Sequence, residues 1–173
     1  DPYLMAGQGC EWRLDPQTGR ATCVGVITRE GMGCARFGFG PTGRLYLATS
    51  PSGGCSGSSV VRIFERLGDA NYKLRTTIYP PDKGGEIRVW SDQNDDAQEQ
   101  PAEIQTYVKD LGGWIMGWYM PMTSDLTFYG SLYQIKVTGW TPCGAPQYDL
   151  AQAKKLPGPA DAKNRGGMGA QHG

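Results

Sequence analysis

An all-β fold of antiparallel sheets is the class this sequence predicts, and three observations predict it. Between residues 44 and 79 apolar and polar side chains alternate through RLYLATS, VVRIFERL and YKLRTTIY, with clusters of Gly, Pro, Ser and Asn between the runs. Period two bounded by turn residues is the pattern of half-buried strands. The chain spends 26 glycines and has an aromatic fraction of 10%, which suits many short strands and tight turns better than helices. Helical spacing of apolar residues appears only at 150–156, a stretch too short to organise a core.

The elements follow in chain order. Residues 1–9 read as an irregular lead-in. Residues 10–28 form a hairpin, CEWRL and RATCVGVIT, around Asp15-Pro16-Gln17-Thr18-Gly19, which has Asp at the first turn position, Pro at the second and Gly just after. Residues 35–50 form a second hairpin, ARFGF and RLYLATS, closed by Gly40-Pro41-Thr42-Gly43. There proline presets one corner and glycine supplies any positive φ. After the small-residue loop PSGGCSGSS, two strands turn back on each other at Gly68-Asp69-Ala70-Asn71. A turn centred between Asp69 and Ala70 sets Val61 opposite Ile78, Ile63 opposite Thr76 and Leu67 opposite Tyr72 on one face, and Phe64 against Arg75 on the other. Further strands are expected at 86–91, 103–109 and 114–122, a long one at 126–138, and a closing segment at 140–144. One domain therefore spans 1–150, followed by a polar tail at 151–173 rich in Gly, Ala and Lys.

The order of a PxG turn, GRLYLAT, a loop, VVRIF and then Gly-Asp before another strand resembles a β-propeller repeat. Pro41, Gly43, Leu45, Tyr46, Ala48, Val61, Ile63, Phe64, Gly68 and Asp69 carry the likeness, and GSLYQIKV at 130–137 echoes it. The resemblance implies blade-like antiparallel sheets; with roughly 40 residues to a blade the chain allows about four at most. It points to a propeller-like, incompletely closed arrangement, with a β-sandwich or barrel as the alternative.

Composition limits the partners. A chain of 173 residues buries roughly 70% of the surface it exposes when unfolded, enough for one core without metal or partner. Lys plus Arg equals Asp plus Glu at 17 each, so no net field draws in nucleic acid. No apolar run reaches the roughly 18 residues of a membrane span. The chain begins Asp1-Pro2 without an initiator Met, as expected of a mature protein after removal of a leader or of a chain that has been trimmed.

The five cysteines are Cys10, Cys23, Cys34, Cys55 and Cys143. Cys10 and Cys23 are equidistant from the centre of the first turn and are expected to face each other as a disulfide. Cys34 and Cys55, on either side of the second hairpin, form the second expected pair. Cys143 is left over and could displace either partner. Disulfides belong to oxidising compartments, which places the protein in the periplasm or outside the cell. The alternative is a set of reduced thiols; no spacing is the CxxC of a zinc or redox motif.

The chemistry is bounded chiefly by the single histidine, His172, next to the last residue. Ser-His-Asp and Cys-His mechanisms need an imidazole fixed beside the nucleophile, and a tail offers no such support. Two carboxylates in a cleft could still cleave a glycosidic bond, but no pair stands out among acids that fall in turns and on polar strand faces. Asp92, Asn94, Asp96 and Glu103 occupy the first, third, fifth and twelfth positions of a calcium-loop spacing. Ala97 stands where that loop needs glycine, and Pro101 lies inside it, so a polar surface loop is the competing reading. GGWIMGWYMPM at 112–122 sets Trp114 and Trp118 on one face with Met116, Met120 and Met122. It serves either as core or as a sugar-stacking platform.

The Ser/Gly loop is the favoured working part. Ser56, Gly57, Ser58 and Ser59 carry no bulk and no charge, so the segment fits a narrow cleft and hydrogen-bonds what lies there. Asp92 and Asn94, in the polar loop at 92–100, offer a second contact. The expectation is a secreted or periplasmic inhibitor that binds a protein target, most specifically an immunity-type protein blocking the active site of a peptidoglycan-degrading amidase. The alternative is an extracellular carbohydrate-binding or carbohydrate-cleaving domain.

Overall fold

The computed structural model describes residues 4–7, 9–29, 32–50, 60–108, 120–130 and 133–157. Every strand pair in it is antiparallel, and no α-helix occurs among the described residues. No helix among them is long and apolar enough to cross a membrane. The fold is all-β.

Strands β1 (Leu4–Gly7), β2 (Cys10–Leu14) and β3 (Ala21–Val26) form a small sheet, so the lead-in is a strand and not irregular. The turn after β2 is built by Asp15. Its Oδ1 accepts from the Gln17 amide at 2.8 Å, and its Oδ2 accepts from Thr18 Oγ1 at 2.7 Å. This turn is longer than the spacing predicts and sets Leu14 opposite Ala21; a bulge between Glu11 and Trp12 then moves the register further. Cys10 therefore lies opposite Val26, and Cys23 opposite Trp12. The expected Cys10–Cys23 disulfide is not formed: both are free thiols, as is Cys143. Loss of surrounding water raises the Cys10 pKa, and the nearby Cys23 thiol adds to the shift. Cys34 is disulfide-bonded, while its expected partner Cys55 lies outside the described residues.

Strands β4 (Ala35–Phe39), β5 (Leu45–Thr49), β6 (Val61–Gly68), β7 (Asn71–Ile78), β8 (Glu86–Ser91) and β9 (Ile104–Val108) follow one another as a six-stranded meander. Consecutive antiparallel strands meet the blade-like expectation. Six strands exceed the four of a propeller blade, and no sheet closes among the described residues. Val61 pairs with Ile78 and Ile63 with Thr76 as expected. A bulge at Arg75 in β7 and another at Leu67 in β6 then place Tyr72 opposite Arg66 instead of Leu67, and Leu74 opposite Phe64 instead of Arg75.

The expected long strand at 126–138 is instead a tight hairpin, β10 (Phe128–Tyr129) against β11 (Tyr133–Ile135). Strands β12 (Gly139–Trp140), β13 (Pro146–Gln147) and β14 (Lys154–Lys155) complete the chain, with a 3-10 turn at Leu150–Gln152. Because β14 pairs with β11, the folded body continues past residue 150.

Tyr46, Ala48, Val61, Ile63, Ile78, Ile87 and Val89 from the large sheet form one buried cluster with Met120, Leu126, Phe128, Ile135, Tyr148 and Leu150. Each fully buried side chain of this size contributes about 1.5–3 kcal/mol. Most polar groups inside are satisfied, as burial requires; the Thr77 hydroxyl is the exception among the described residues. Thr76 Oγ1 and Ser91 Oγ both donate to the Pro146 carbonyl, at 2.7 and 3.0 Å, and hold β13 to the sheet. Tyr46 donates to the Gly144 carbonyl at 2.6 Å, and Tyr148 to that of Leu126 at 3.0 Å.

The small sheet meets the β6–β7 hairpin through Glu11, whose side chain is fully buried. Arg66 grips it with two hydrogen bonds, of 3.0 and 2.9 Å, and Tyr72 donates a third. Burial pushes the Glu11 carboxyl up, but these donors outweigh it and the pKa falls below the usual glutamate value.

Candidate protein-binding loop

The loop at 92–100 leaves the end of β8, and its residues form a chain of side-chain-to-backbone closures. Asp92, fully buried, accepts from the Asp95 amide at 2.9 Å. Asn94 Oδ1 takes the Asp96 amide at 3.2 Å, and Asp96 Oδ1 takes the Gln98 amide at 2.8 Å. Asp and Asn are the residues whose short side chains close such turns on their own backbone. Asp95 and Ala97 have φ of 68° and 58°, left-handed values that cost a non-glycine residue free energy and persist where the surroundings fix them. The far end is tied down twice. Glu103 accepts from Trp90 Nε1 at 2.7 Å and from the Gln93 amide at 2.9 Å, and Glu99 accepts from Tyr79.

Beneath the loop lies a buried charge network. Arg75, 4% exposed, donates to Asp92 at 2.8 Å, to Asp95 at 2.5 Å and to Glu65 at 2.8 Å. Lys73 adds a second cation on Asp95 at 2.8 Å. The hydrogen bond from Lys73, then that from Arg75, depress the Asp95 pKa to about 2. Burial alone would weaken the Arg75 charge, but its bonds to Asp95, Glu65 and Asp92 hold the guanidinium protonated beyond its ordinary value. At the other end, burial and Glu99 raise the Tyr79 pKa to about 12, while Arg88 stacks 4.6 Å from its ring centroid.

This arrangement replaces the calcium expectation. Oxygens of Asp92, Asn94, Asp96 and Glu103 accept from the loop backbone or from Trp90, and neither Asp96 nor Glu103 belongs to a close group of ligand atoms among the described residues. A group with closely spaced ligand atoms does occur among the described residues: Asp92, Asp95 and Cys143, within 4.8 Å of one another. Arg75 already donates to both carboxylates. The Cys143 thiol donates to the Asp92 carbonyl at 3.0 Å. A guanidinium stands where a cation would, and the site balances its charge from within.

Comparison of the chain with protein-family models, curated proteins and solved structures finds no match.

Of the expected contact residues, Asp92 and Asn94 are thus placed, the first as a buried support and the second on the exposed surface. Ser56, Gly57, Ser58 and Ser59 lie outside the described residues, as do Trp114, Trp118 and His172. Sequence reasoning missed Arg75, Glu65 and Lys73. The one available signal was a charge pair, Glu65 and Arg75, inside strands otherwise rich in apolar residues, and the bulge that brings them together leaves no mark in the alternation.

Proposed function

We propose that this protein works by binding another protein, as an inhibitor that presents the loop at 92–100 to its target. The observation that supports this reading is that the loop is exposed yet fixed from within. Gln93, Asn94, Asp95, Asp96, Gln98 and Glu99 face solvent, while the hydrogen bonds given above hold the backbone. A preformed loop loses little conformational entropy on docking, which is the main advantage of a rigid inhibitor. The target class that fits best is a peptidoglycan-degrading amidase, with the protein acting as an immunity-type inhibitor in the periplasm or outside the cell. The disulfide at Cys34 accords with an oxidising compartment. A chain whose one histidine is His172 accords with blocking in place of turnover.

The test is inhibition of peptidoglycan hydrolysis by purified bacterial amidases. Gln93 and Gln98 are exposed and their side chains make no hydrogen bond among the described residues, so Gln93→Arg with Gln98→Trp alters the contact while keeping the loop. The chain is expected to slow at least one amidase, and the double variant to weaken that inhibition about tenfold or more, or roughly 1.4 kcal/mol. Unchanged hydrolysis across the amidases, or equal potency of the variant, defeats the proposal.

A further inference from the structure

A groove remote from the loop carries a second, independent reading. Along the extended segment 134–138, period-two alternation turns Ile135 and Val137 toward the core, where Ile135 is 1% exposed. Gln134, Lys136 and Thr138 are left on the opposite side. With Val137, these three residues line one side of a half-open groove of about 360 Å³, lined also by Asp149, Gln152 and Lys154. That volume lies within the range of roughly 300–1,000 Å³ typical of small-ligand sites.

The walls are held by their own hydrogen bonds. Gln134 pairs with Lys154 across β11 and β14. Thr138 Oγ1 donates to the Gln147 carbonyl at 3.2 Å and accepts from the Asp149 amide at 3.1 Å. Gln134 Nε2 is fixed by Tyr129 at 2.9 Å, which leaves its amide oxygen as an acceptor.

Charge decides what the groove takes. Its one carboxylate, Asp149, is committed to the 3-10 turn, where it accepts from the Ala151 amide at 2.9 Å and from Gln152 Nε2 at 2.8 Å. Lys136 and Lys154 form no ion pair among the described residues. Two lysines therefore line the groove with one hydrogen-bonded carboxylate, which leaves a net positive charge, beside amide oxygens that accept from hydroxyls. The geometry points to a binding site for an anionic monosaccharide, whose charged head lies between Lys136 and Lys154 and whose hydroxyls meet the glutamine amides. Lysine binds carboxylate and phosphate alike as a point charge, without the planar fork of arginine, so the head can be a sugar carboxylate or a sugar phosphate.

The test is an amide-resolved NMR titration of the whole chain with glucuronate, glucose 6-phosphate, glucose and inorganic phosphate in parallel. Saturable shifts confined to 134–138 and 149–154 are expected with at least one of the two anionic sugars, and the tighter of them names the head. Glucose is expected to give none, and inorganic phosphate to bind about tenfold more weakly than the better sugar. Lys136→Gln with Lys154→Gln, both exposed in the fold, is expected to abolish the shifts while resonances elsewhere stay in place. The inference is overturned if neither anionic sugar saturates, if glucose or phosphate binds as tightly as the better sugar, or if the double variant still binds.

Discussion

Arg75 is the residue on which the loop most depends. Removing a buried charge leaves its partners uncompensated, whereas replacing a whole network with apolar groups is often neutral. Arg75→Met strands Asp92, fully buried, and leaves Glu65 with Arg44 alone at 3.1 Å; it is expected to cost about 3–5 kcal/mol. That corresponds to a fall in Tm of about 10 °C, readable by calorimetry. Arg75→Lys keeps the charge but not the three-way grip, and should recover only part of the loss. Asp95 gives a pH signature. Its pKa is depressed from 3.8 to about 2 in the folded chain, so its contribution is complete above the unfolded value and is lost as pH falls through about 2. Amide shifts of the loop followed by NMR should stay at their neutral-pH positions at pH 4.5 and move only on descent toward 2. A midpoint near 4 would show that Lys73 and Arg75 do not hold the carboxylate.

Between elements, the contacts to test are the places where two backbones come unusually close. A Cβ on Gly38 would lie 2.5 Å from Leu126 Cδ2, and Leu126 is itself fully buried at φ 62° in the turn before β10. Gly38→Ala is therefore expected to destabilise by about 1–3 kcal/mol, the range for an overpacked core, in denaturant unfolding. A Cβ on Gly25 would lie 2.6 Å from that of Ala70, where the small sheet meets the β6–β7 hairpin. Gly25→Val should raise hydrogen exchange in β1–β3 while β5–β8 stay protected; uniform loss of protection would mean that the two sheets unfold as one.

The hairpin at 35–50 was legible in the sequence because Pro41 and Gly43 (φ 75°) stand where its turn needs them; that at 61–78 was legible from the break in alternation at 68–71, although Ala70 and not a glycine takes the left-handed φ of 49°. Register was legible only as far as the first bulge. Val61 and Ile63 find the partners that alternation gives, but beyond Ile63 one extra residue shifts the pairing, and nothing in the side-chain pattern announces it. The same blindness misplaced Cys10 and Cys23, where Val24 is the extra residue. The strand expected at 126–138 failed because Leu126, at φ 62°, turns the chain before β10 and β10 pairs back on β11, while the apolar residues still alternate.

Across the described residues, the large sheet and the short C-terminal strands share one core, and the charged groups gather where β7 begins and β8 ends. The loop at 92–100 was visible in the sequence as a polar run of Asp, Asn and Gln, but its calcium-like spacing misled. Spacing records which oxygens lie near one another along the chain, and not which donors have already taken them. Arg75 lies 17 residues before Asp92, and only the fold brings them together. A protein built this way holds its exposed loop from below. The direct measurement is hydrogen–deuterium exchange of the chain with and without an amidase that it inhibits. Slowed exchange concentrated at 92–100 is the result the binding account predicts. Protection elsewhere with that loop unchanged would contradict it.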